Sequence, residues 1–216
     1  DTKPSRARTS SSSHLLHPLL GQKLQLAGRC KDIFFETNLS VDSPAYLADH
    51  RILDKVVLPG AAYVEMALAA GVWLFKSPCV ALEQVSIEQP LILPATQEIT
   101  VQVVLSPIEE NAYTFEIASL SDASELEASA WRVHVTGTVR AGEPSQELET
   151  VDVAAWRTTQ ASVLDLEQFY HYSQEQGLHF GECFQSLAQV WRDSGQGYGQ
   201  VQLPATLGES AVEGHQ

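Results

Sequence analysis

The chain has 216 residues, of which 44% are hydrophobic and 19% are charged, and its formal net charge at pH 7 is −14. This composition indicates a folded protein, because disordered chains contain fewer apolar and more charged residues. The acidic surplus repels phosphate groups and anionic lipid headgroups, so it argues against a nucleic-acid partner and against binding to a membrane surface. The length suits one large domain or two small ones.

The spacing of the cysteines and histidines predicts neither a disulfide framework nor a metal site. Cys30, Cys79 and Cys183 are odd in number and far apart, which is typical of reduced thiols in a cytoplasmic protein. His14 and His17 have no further ligand at metal-binding spacing. The glycines show no phosphate-binding spacing, so we expect neither a metal nor a nucleotide.

The first part of the chain is predicted to form a linker and then one α+β unit. Residues 1–13 are polar and Ser-rich, which is typical of an interdomain linker and not of a secretory signal. For residues 14–141 the apolar periodicity predicts a helix at 60–75 and strands at 23–28, 33–41, 80–92, 98–105, 113–119 and 131–140. This order is typical of an antiparallel sheet wrapped around one central helix.

Two of these elements allow sharper expectations. In the last strand, Trp131, Val133, Val135 and Val139 are expected to share one face of the sheet. The helix is predicted to be a buried core helix, since Glu65 interrupts its apolar run and its length of roughly 24 Å is short of a ~30 Å bilayer core. Glu65 is expected to be a satisfied carboxylate, and Tyr63 and Trp73 are expected to be core residues.

The second part of the chain is predicted to begin another unit. Residues 142–159 are acidic and irregular and are interpreted as a linker. Residues 160–216 contain a predicted helix at 165–177 and a predicted hairpin with strands at 184–192 and 198–203. We expect this second unit to be incomplete, because two strands and one short helix cannot bury a core of their own.

His50 is the candidate for chemistry, because it stands nine residues before the Pro59-Gly60 pair at which the long helix begins. Free N–H groups at a helix start form a partial positive end that suits a carbonyl oxygen gaining negative charge. An imidazole beside that end can remove a proton α to a thioester carbonyl, since its pKa of ~6.5 leaves it mostly neutral. Gly60 would let the carbonyl approach the backbone.

The same residues allow a simpler interpretation of His50. The histidine can be a surface loop residue that is hydrogen-bonded to Asp49 or Asp54, with no catalytic role.

Four ordered segments resemble the dehydratase domains of modular polyketide synthases, from about His14 to the end of the chain. They are HPLLG at 17–21, HRILDKVVLPG at 50–60, LPGAAYVEMALAAG at 58–71 and GLHFGECFQSLAQVWR at 177–192. His50 and Pro59 match the H-x-x-x-G-x-x-x-x-P motif of that family, and the last segment is similar to its G-x-x-Y-G-P-x-F motif.

The resemblance implies a double hotdog fold and loss of water from a β-hydroxyacyl thioester to give the α,β-enoyl thioester. It assigns His50 as the base and places Pro59, Gly60, Phe180 and Gly181 at the substrate. The substrate would be carried on the phosphopantetheine arm of an acyl carrier protein, with no cofactor of the domain's own. Further partners would be the other domains of the synthase and a second copy in a homodimer, in the cytoplasm.

The chain also departs from the family pattern. Asp54 stands where the family has glycine, Phe180 replaces a tyrosine and loses its hydroxyl, and Glu182 replaces a proline. The family's catalytic Asp is expected just beyond residue 216, so the fragment alone is expected to be inactive. None of Asp165, Asp193 and Glu209 lies in the motif that would carry this acid.

These departures keep two other readings open. The first is a non-catalytic pseudo-dehydratase that serves as a structural or dimerising element of the synthase. The second is a hotdog thioesterase, which would need a hydrolytic carboxylate at the same helix; the loop from His50 to Pro59 and Gly60 argues against it.

Overall fold

The computed structural model of the chain describes residues 16–28, 30–120, 131–143, 162–193 and 195–207. The predicted linker 1–13, nearly all of the predicted linker 142–159, and His14 lie outside these residues. The described α-helices are α1 (Gly60–Phe75) and α2 (Leu166–Glu175). The described strands are β1 (Gln22–Lys23), β2 (Ile33–Leu39), β3 (His50–Ile52), β4 (Lys55–Val56), β5 (Val80–Ile87), β6 (Ile99–Glu109), β7 (Ala112–Leu120), β8 (Trp131–Ala141), β9 (Ser162–Val163), β10 (Leu178–Phe180), β11 (Leu187–Asp193) and β12 (Gln196–Val201).

Helix α1 has the predicted bounds and is buried on one face. It follows Pro59, whose ring fixes φ and removes an N–H, and it ends before Lys76, which adopts a left-handed conformation with φ 53°. The buried face comprises Ala62, Tyr63, Met66, Ala67, Ala70 and Gly71. On the other face Val64 and Val72 are 37% and 41% exposed, so the predicted core helix is only partly buried. No helix in the described part of the chain combines the length and hydropathy that a membrane span needs.

Six strands form one antiparallel sheet around α1, in the order β1-β2-β6-β7-β8-β5. Alternate residues of β6 point inward, so that Val101, Val103 and Leu105 are buried against the helix. Phe35 from β2 and Ile117 from β7 complete this core and are fully buried. The predicted α+β class and the sheet wrapped around a helix are confirmed.

Two strands of this sheet are shorter than predicted by four or more residues, and β2 ends two residues earlier than predicted, at Leu39. The strand expected at 23–28 is confined to Gln22–Lys23. The strand expected at 80–92 ends at Ile87, since the Glu88 N–H still bonds the His134 carbonyl at 2.8 Å but Pro90 has no N–H with which to continue the ladder.

Strand β8 contains a bulge that breaks its predicted alternation. Val135 pairs with Ile117 and Val133 pairs with Ala118, so the register between β7 and β8 shifts at His134. Val135 is fully buried, as is Val139, whereas Trp131 is 36% exposed. The expectation that all four apolar residues of this strand share one face is therefore wrong.

The second part of the chain contains the predicted helix and hairpin. Helix α2 lies within the predicted range 165–177, and the Asp165 carboxylate caps it by accepting a hydrogen bond from the Gln168 N–H at 3.1 Å. Strands β11 and β12 form the predicted hairpin, and β9 pairs with the other edge of β11.

A third, three-stranded sheet joins the two parts of the chain in the order β10-β3-β4. Its strands are two or three residues long, which is too short for a period of two to show in the sequence. Phe180 pairs with His50, His179 with Arg51, and Leu178 with Ile52. This sheet was not predicted, and it brings the two candidate motifs together.

Candidate active site

His50 is half-buried on β3, and its ring is oriented by a backbone carbonyl. Its Nδ1 lies 2.8 Å from the Val57 carbonyl oxygen. Because a carbonyl oxygen can only accept a hydrogen bond, the proton of a neutral ring lies on Nδ1 and the lone pair lies on Nε2. The Val57 N–H in turn donates to the His50 carbonyl at 3.1 Å, so the two residues hold each other from both sides. The ring is thereby set up to accept a proton at Nε2.

The simpler interpretation of His50 predicts hydrogen bonds to Asp49 or Asp54, and the geometry does not match it. The Asp49 carboxylate accepts instead from the Cys183 N–H at 2.9 Å. The Asp54 carboxylate lies 3.8 Å from Nδ1 of His179. His50 is thus a strand residue with a backbone partner rather than a free loop residue.

Asp54 occupies a backbone conformation that favours glycine. Strands β3 and β4 are joined by the two-residue turn Leu53-Asp54, in which φ is 48° and 65°. Positive φ at both central positions defines a type I′ turn, for which glycine is common at the second position. Asp is among the better tolerated substitutes, so the turn after His50 keeps its geometry despite this departure from the family pattern.

Aromatic rings from the second part of the chain pack beside His50. The ring of Phe180 has its centroid 5.7 Å from that of His50, and the ring of Phe184 lies 5.1 Å away. Tyr46 lies 6.3 Å from Phe184, and burial raises the pKa of its hydroxyl, as does the nearby charge of Glu65. These rings make one side of the imidazole apolar.

The start of α1 lies three residues beyond Val57. The segment that leads to it is held in place because the Leu58 N–H donates to the Leu91 carbonyl at 2.9 Å. No side-chain hydrogen bond caps the helix, and Gly60 at its start is exposed. The first amides of a helix have no intrahelical partner, so this end can donate to a carbonyl oxygen.

Glycine at position 60 is not required by the fold. A Cβ added to Gly60 would meet only Cδ1 of Ile87, at 3.6 Å, which is an ordinary van der Waals contact. By contrast, a Cβ at Gly181 would lie 2.3 Å from Cγ of Asp49, so that glycine is required by packing.

The structure brings together His50, Phe180 and Gly181, and places Pro59 and Gly60 at the adjoining helix start. The sequence did not predict the roles of three further residues of the site, Val57, Asp49 and Phe184. Phe184 belongs to a motif that was recognised, but its contact with His50 crosses a long stretch of chain that local patterns do not encode.

The opening HPLLG motif supports α1 rather than the reaction. The Leu19 N–H donates to Nδ1 of His17 at 3.2 Å, and Nε2 of His17 lies 3.2 Å from the Glu65 carboxylate. Glu65 is therefore a satisfied carboxylate, as expected. Tyr63 is buried and Trp73 packs against the core, so both expectations for these residues are confirmed as well.

A second histidine, His134, is buried within the sheet. Its Nδ1 lies 3.1 Å from the Gln89 carbonyl oxygen, and its Nε2 lies 2.7 Å from the Ser119 hydroxyl. The carbonyl requires a proton on Nδ1, so Nε2 accepts from the hydroxyl. Burial lowers the pKa of His134, the hydrogen bond to Gln89 opposes this, and the charge of Arg132 adds to the lowering.

A cavity of about 850 Å³ lies between α2 and β10 and borders the site. Asp49, Phe180 and Gly181 contribute to its walls, together with Arg51 and Tyr170. The His50 ring does not line this cavity. In the described part of the chain no cluster of three or more His, Cys, Asp and Glu side chains is arranged to hold a metal ion.

Comparison with known proteins identifies the family. Residues 17–120 match the family described as "Polyketide synthase dehydratase domain", and residues 148–215 match "Polyketide synthase dehydratase N-terminal domain". The dehydratase domain from the CurF module of curacin polyketide synthase is 31% identical with a TM-score of 0.83, and the match covers 91% of this chain and 69% of that domain. The chain belongs to the polyketide synthase dehydratase family.

Further relatives agree with this assignment. The dehydratase domain of the CurK module has been solved as an inactive variant with phenylalanine in place of a histidine; it is 32% identical, with a TM-score of 0.83 and coverage of 91% of this chain and 69% of that one. The same domain has been solved as an inactive variant with asparagine in place of an aspartate, with a TM-score of 0.79. The predicted hotdog architecture is confirmed by the likeness to these dehydratase domains.

The chain spans only a small part of the length of its longer relatives. Polyketide synthase GfsA of Streptomyces halstedii is 32% identical over 198 residues, which make up 91% of this chain and 3% of that protein.

Proposed function

We propose that this chain carries the catalytic base of a polyketide synthase dehydratase, which removes water from a β-hydroxyacyl thioester to give the α,β-enoyl thioester. The observation that carries the proposal is the hydrogen bond from Nδ1 of His50 to the Val57 carbonyl, which leaves Nε2 free as a base. A histidine and an aspartate whose replacements accompany inactivity in the CurK dehydratase support the same chemistry.

In the proposed reaction, Nε2 of His50 takes the proton from the carbon next to the thioester carbonyl. The electrons of that C–H bond form the new double bond, and the C–O bond to the hydroxyl breaks. The carbonyl oxygen gains negative charge during proton removal and would be stabilised by the amides at the start of α1, at Gly60 and the residue after it. Pro59, Phe180 and Gly181 would line the path of the substrate beside this centre.

The departing hydroxyl needs a proton, which the described residues do not supply at this place. Asp165 is engaged as the cap of α2. The proposal places the acid, an Asp, in the third of the dehydratase domain that this chain does not cover when compared with the CurF domain. The 216-residue chain alone would then be inactive.

The proposed substrate is carried on the phosphopantetheine arm of an acyl carrier protein, and the domain needs no cofactor of its own. The proposed partners are that carrier protein, the other domains of the synthase and a second copy of the dehydratase. We propose boundaries of 14–141 for the first hotdog unit and 160–216 for the start of the second, with a linker at 142–159. None of the three cysteines forms a disulfide in the described part of the chain, which suits the reducing cytoplasm.

The test is to replace His50 by Ala in the complete dehydratase domain and to incubate it with a panel of 3-hydroxyacyl carrier-protein thioesters. Loss of water is followed by mass. We expect turnover to fall by about 10²–10⁴-fold, the usual contribution of a general base. Turnover that stays at the wild-type level would show that His50 is not the base.

His171→Ala is the matched control, because His171 is an exposed histidine on α2 that pairs with Glu175. We expect it to keep turnover near that of the wild type. A wild-type domain that dehydrates none of the thioesters would instead favour the non-catalytic pseudo-dehydratase.

A further inference from the structure

We infer that Asp49 is a positioning residue that places the aromatic turn of the second part of the chain against the His50 ring. The inference rests on the proposed function of His50 and adds a residue to which neither the family resemblance nor the sequence motifs assign a role.

Asp49 contacts the second part of the chain through both its backbone and its side chain. Its carbonyl accepts a hydrogen bond from the Gly181 N–H at 2.8 Å, and its carboxylate accepts from the Cys183 N–H at 2.9 Å. The partner residues belong to the 3-10 turn Glu182–Phe184 and to its N-terminal flank, where no side chain of the turn itself provides a cap. Asp49 therefore caps this turn from a distant part of the sequence.

The carboxylate also fits closely against Gly181. A Cβ at that position would lie 2.3 Å from Cγ and 2.4 Å from Oδ1 of Asp49. The φ of Gly181 is −75°, which any residue can adopt, so the requirement for glycine comes from Asp49 and not from the backbone. The two hydrogen bonds keep the turn close to the end of the 3-10 helix Ala45–Asp49, and the close fit of Asp49 against Gly181 limits how near the two can come.

The turn fixed in this way carries the rings that face the base. Phe180 precedes its flanking residue Gly181 and Phe184 ends it, and their centroids lie 5.7 and 5.1 Å from that of His50. On its other side the imidazole is held by the Val57 carbonyl. Movement of the turn would change the apolar wall of the ring, and a displacement of ~1 Å at a catalytic group can cost about 10²-fold in rate.

The test uses the complete dehydratase domain and compares Asp49→Ala with Asp49→Asn. We expect the Ala variant to lose about 10–100-fold in kcat with KM changed less than about threefold, because the apolar wall beside the base moves while the helix start that receives the carbonyl oxygen stays in place. The Asn variant keeps an amide oxygen that can accept from the Cys183 N–H, so it should recover most of the rate. Asp42→Ala, at an exposed carboxylate in the preceding loop, serves as the control and should keep the wild-type rate.

Gly181→Ala provides a second, independent variant. Its methyl group should push the turn away from Asp49 and lower kcat by a similar factor. In the double variant Asp49→Ala/Gly181→Ala the contacts at 2.3 and 2.4 Å are removed and the contact with Cβ of residue 49 at 2.8 Å stays, so the loss should be smaller than the product of the two single losses. If the loss in kcat of the double variant equals the product of the two single losses, Asp49 and Gly181 do not act through a shared contact and the inference is wrong.

The pH profile of kcat/KM separates positioning from proton transfer. The Ala variant should show a lower plateau with unchanged midpoints, whereas a lost limb would mean that Asp49 itself exchanges a proton, against the inference. If His50→Ala abolishes turnover while Asp49→Ala keeps it, the inference on Asp49 is wrong and the proposed function stands. If His50→Ala keeps turnover, the proposed function is wrong.

Discussion

The two glycines near His50 differ in how much room surrounds the position of a Cβ atom. Gly181 is required because the Asp49 side chain occupies the space of its Cβ. Gly60 has room for a Cβ and an ordinary helical backbone. In the proposed reaction, glycine at position 60 would give the substrate carbonyl access to the helix amides.

Gly60→Ala should separate stability from activity. We expect the free energy of unfolding to stay unchanged or to rise by about 0.5–1 kcal/mol, because alanine is favoured over glycine in a helix. We expect dehydration to fall by roughly tenfold, because the methyl group would crowd the amide that receives the carbonyl oxygen. Urea unfolding and the rate of water loss measure the two effects.

Gly71→Ala in the same helix is the control for this prediction. A Cβ at Gly71 would lie 2.6 Å from Cγ1 of Val80 and 2.7 Å from Cγ2 of Val139. We therefore expect this variant to lose about 1–3 kcal/mol of stability through overpacking. If Gly60→Ala destabilised the domain as strongly as Gly71→Ala, the functional explanation of Gly60 would be wrong.

At the scale of single residues the sequence predicts the base but not its partners. His50, Pro59 and Gly60 stand out because helix starts and titratable groups have local signatures. The Val57 carbonyl cannot be predicted in this way, since every residue has a carbonyl and only the β3–β4 hairpin directs this one at the ring.

Among the secondary-structure elements, length decides what the sequence can reveal. Helix α1 and the long strands β6, β7 and β8 show their periodicity and were predicted. Strands β3, β4 and β10 have two or three residues and show none, although they carry the site. The bulge at His134 was also missed, because a bulge inserts one residue without any residue type that marks it.

The pairing of β10 with β3 can be tested through Gly177, which precedes β10. Its φ is 80°, and a Cβ there would lie 2.6 Å from Cδ2 of Leu53 in the hairpin turn. Leu53 is 72% exposed and its side chain can move aside, so Gly177→Ala should act mainly by straining the backbone at its positive φ, which should weaken the pairing of β10 with β3. Hydrogen exchange should become faster at residues 50–52 and 178–180, while β6 and β7 keep their protection.

Gly195→Ala is the matched variant, because Gly195 also has a positive φ of 98° but its added Cβ would meet no atom within 4 Å. It should leave exchange at residues 50–52 unchanged. Equal effects of the two variants would mean that the faster exchange at residues 50–52 does not depend on the position of Gly177 beside β3, and would contradict the prediction.

At the scale of the whole molecule, the buried His134 should make stability depend on pH. Burial lowers its pKa below the ordinary 6.5, so the ring stays neutral in the native state at a pH where the unfolded chain is already protonated. Above pH ~6.5 both states are neutral and the stability is fully present; as the pH falls from 6.5 toward the native pKa, stability is lost.

His134→Asn should flatten this dependence. The variant loses the hydrogen bond with Ser119 and should be about 1–3 kcal/mol less stable at pH 8. Below pH 6.5 the slope of unfolding free energy against pH should fall by up to about 1.4 kcal/mol per pH unit, the contribution of one proton. Urea unfolding between pH 5 and 8 measures both, and identical slopes would contradict the role of His134.

The α+β class was predicted, but the contact between the loop before β3 and the turn after β10 was not. Hydrophobic patterns predict which face of an element is buried, and the buried residues Val103 and Ile117 lie on such faces. The contact of Asp49 with Cys183 involves a carboxylate and a backbone amide, neither of which leaves a periodic pattern.

The hydrogen bond between Asp49 and Cys183 also determines the order in which parts of the site can form during synthesis of the chain. Asp49 and Cys183 are 134 residues apart, so at a translation rate of about 5–20 residues per second the segment that carries Asp49 and His50 leaves the ribosome roughly 7–27 s before the turn that packs against it. During that interval the first unit can close its own core, while one edge of β3 stays unpaired. On a nascent chain the site is therefore assembled in sequence, with the histidine in place first and its aromatic wall added last.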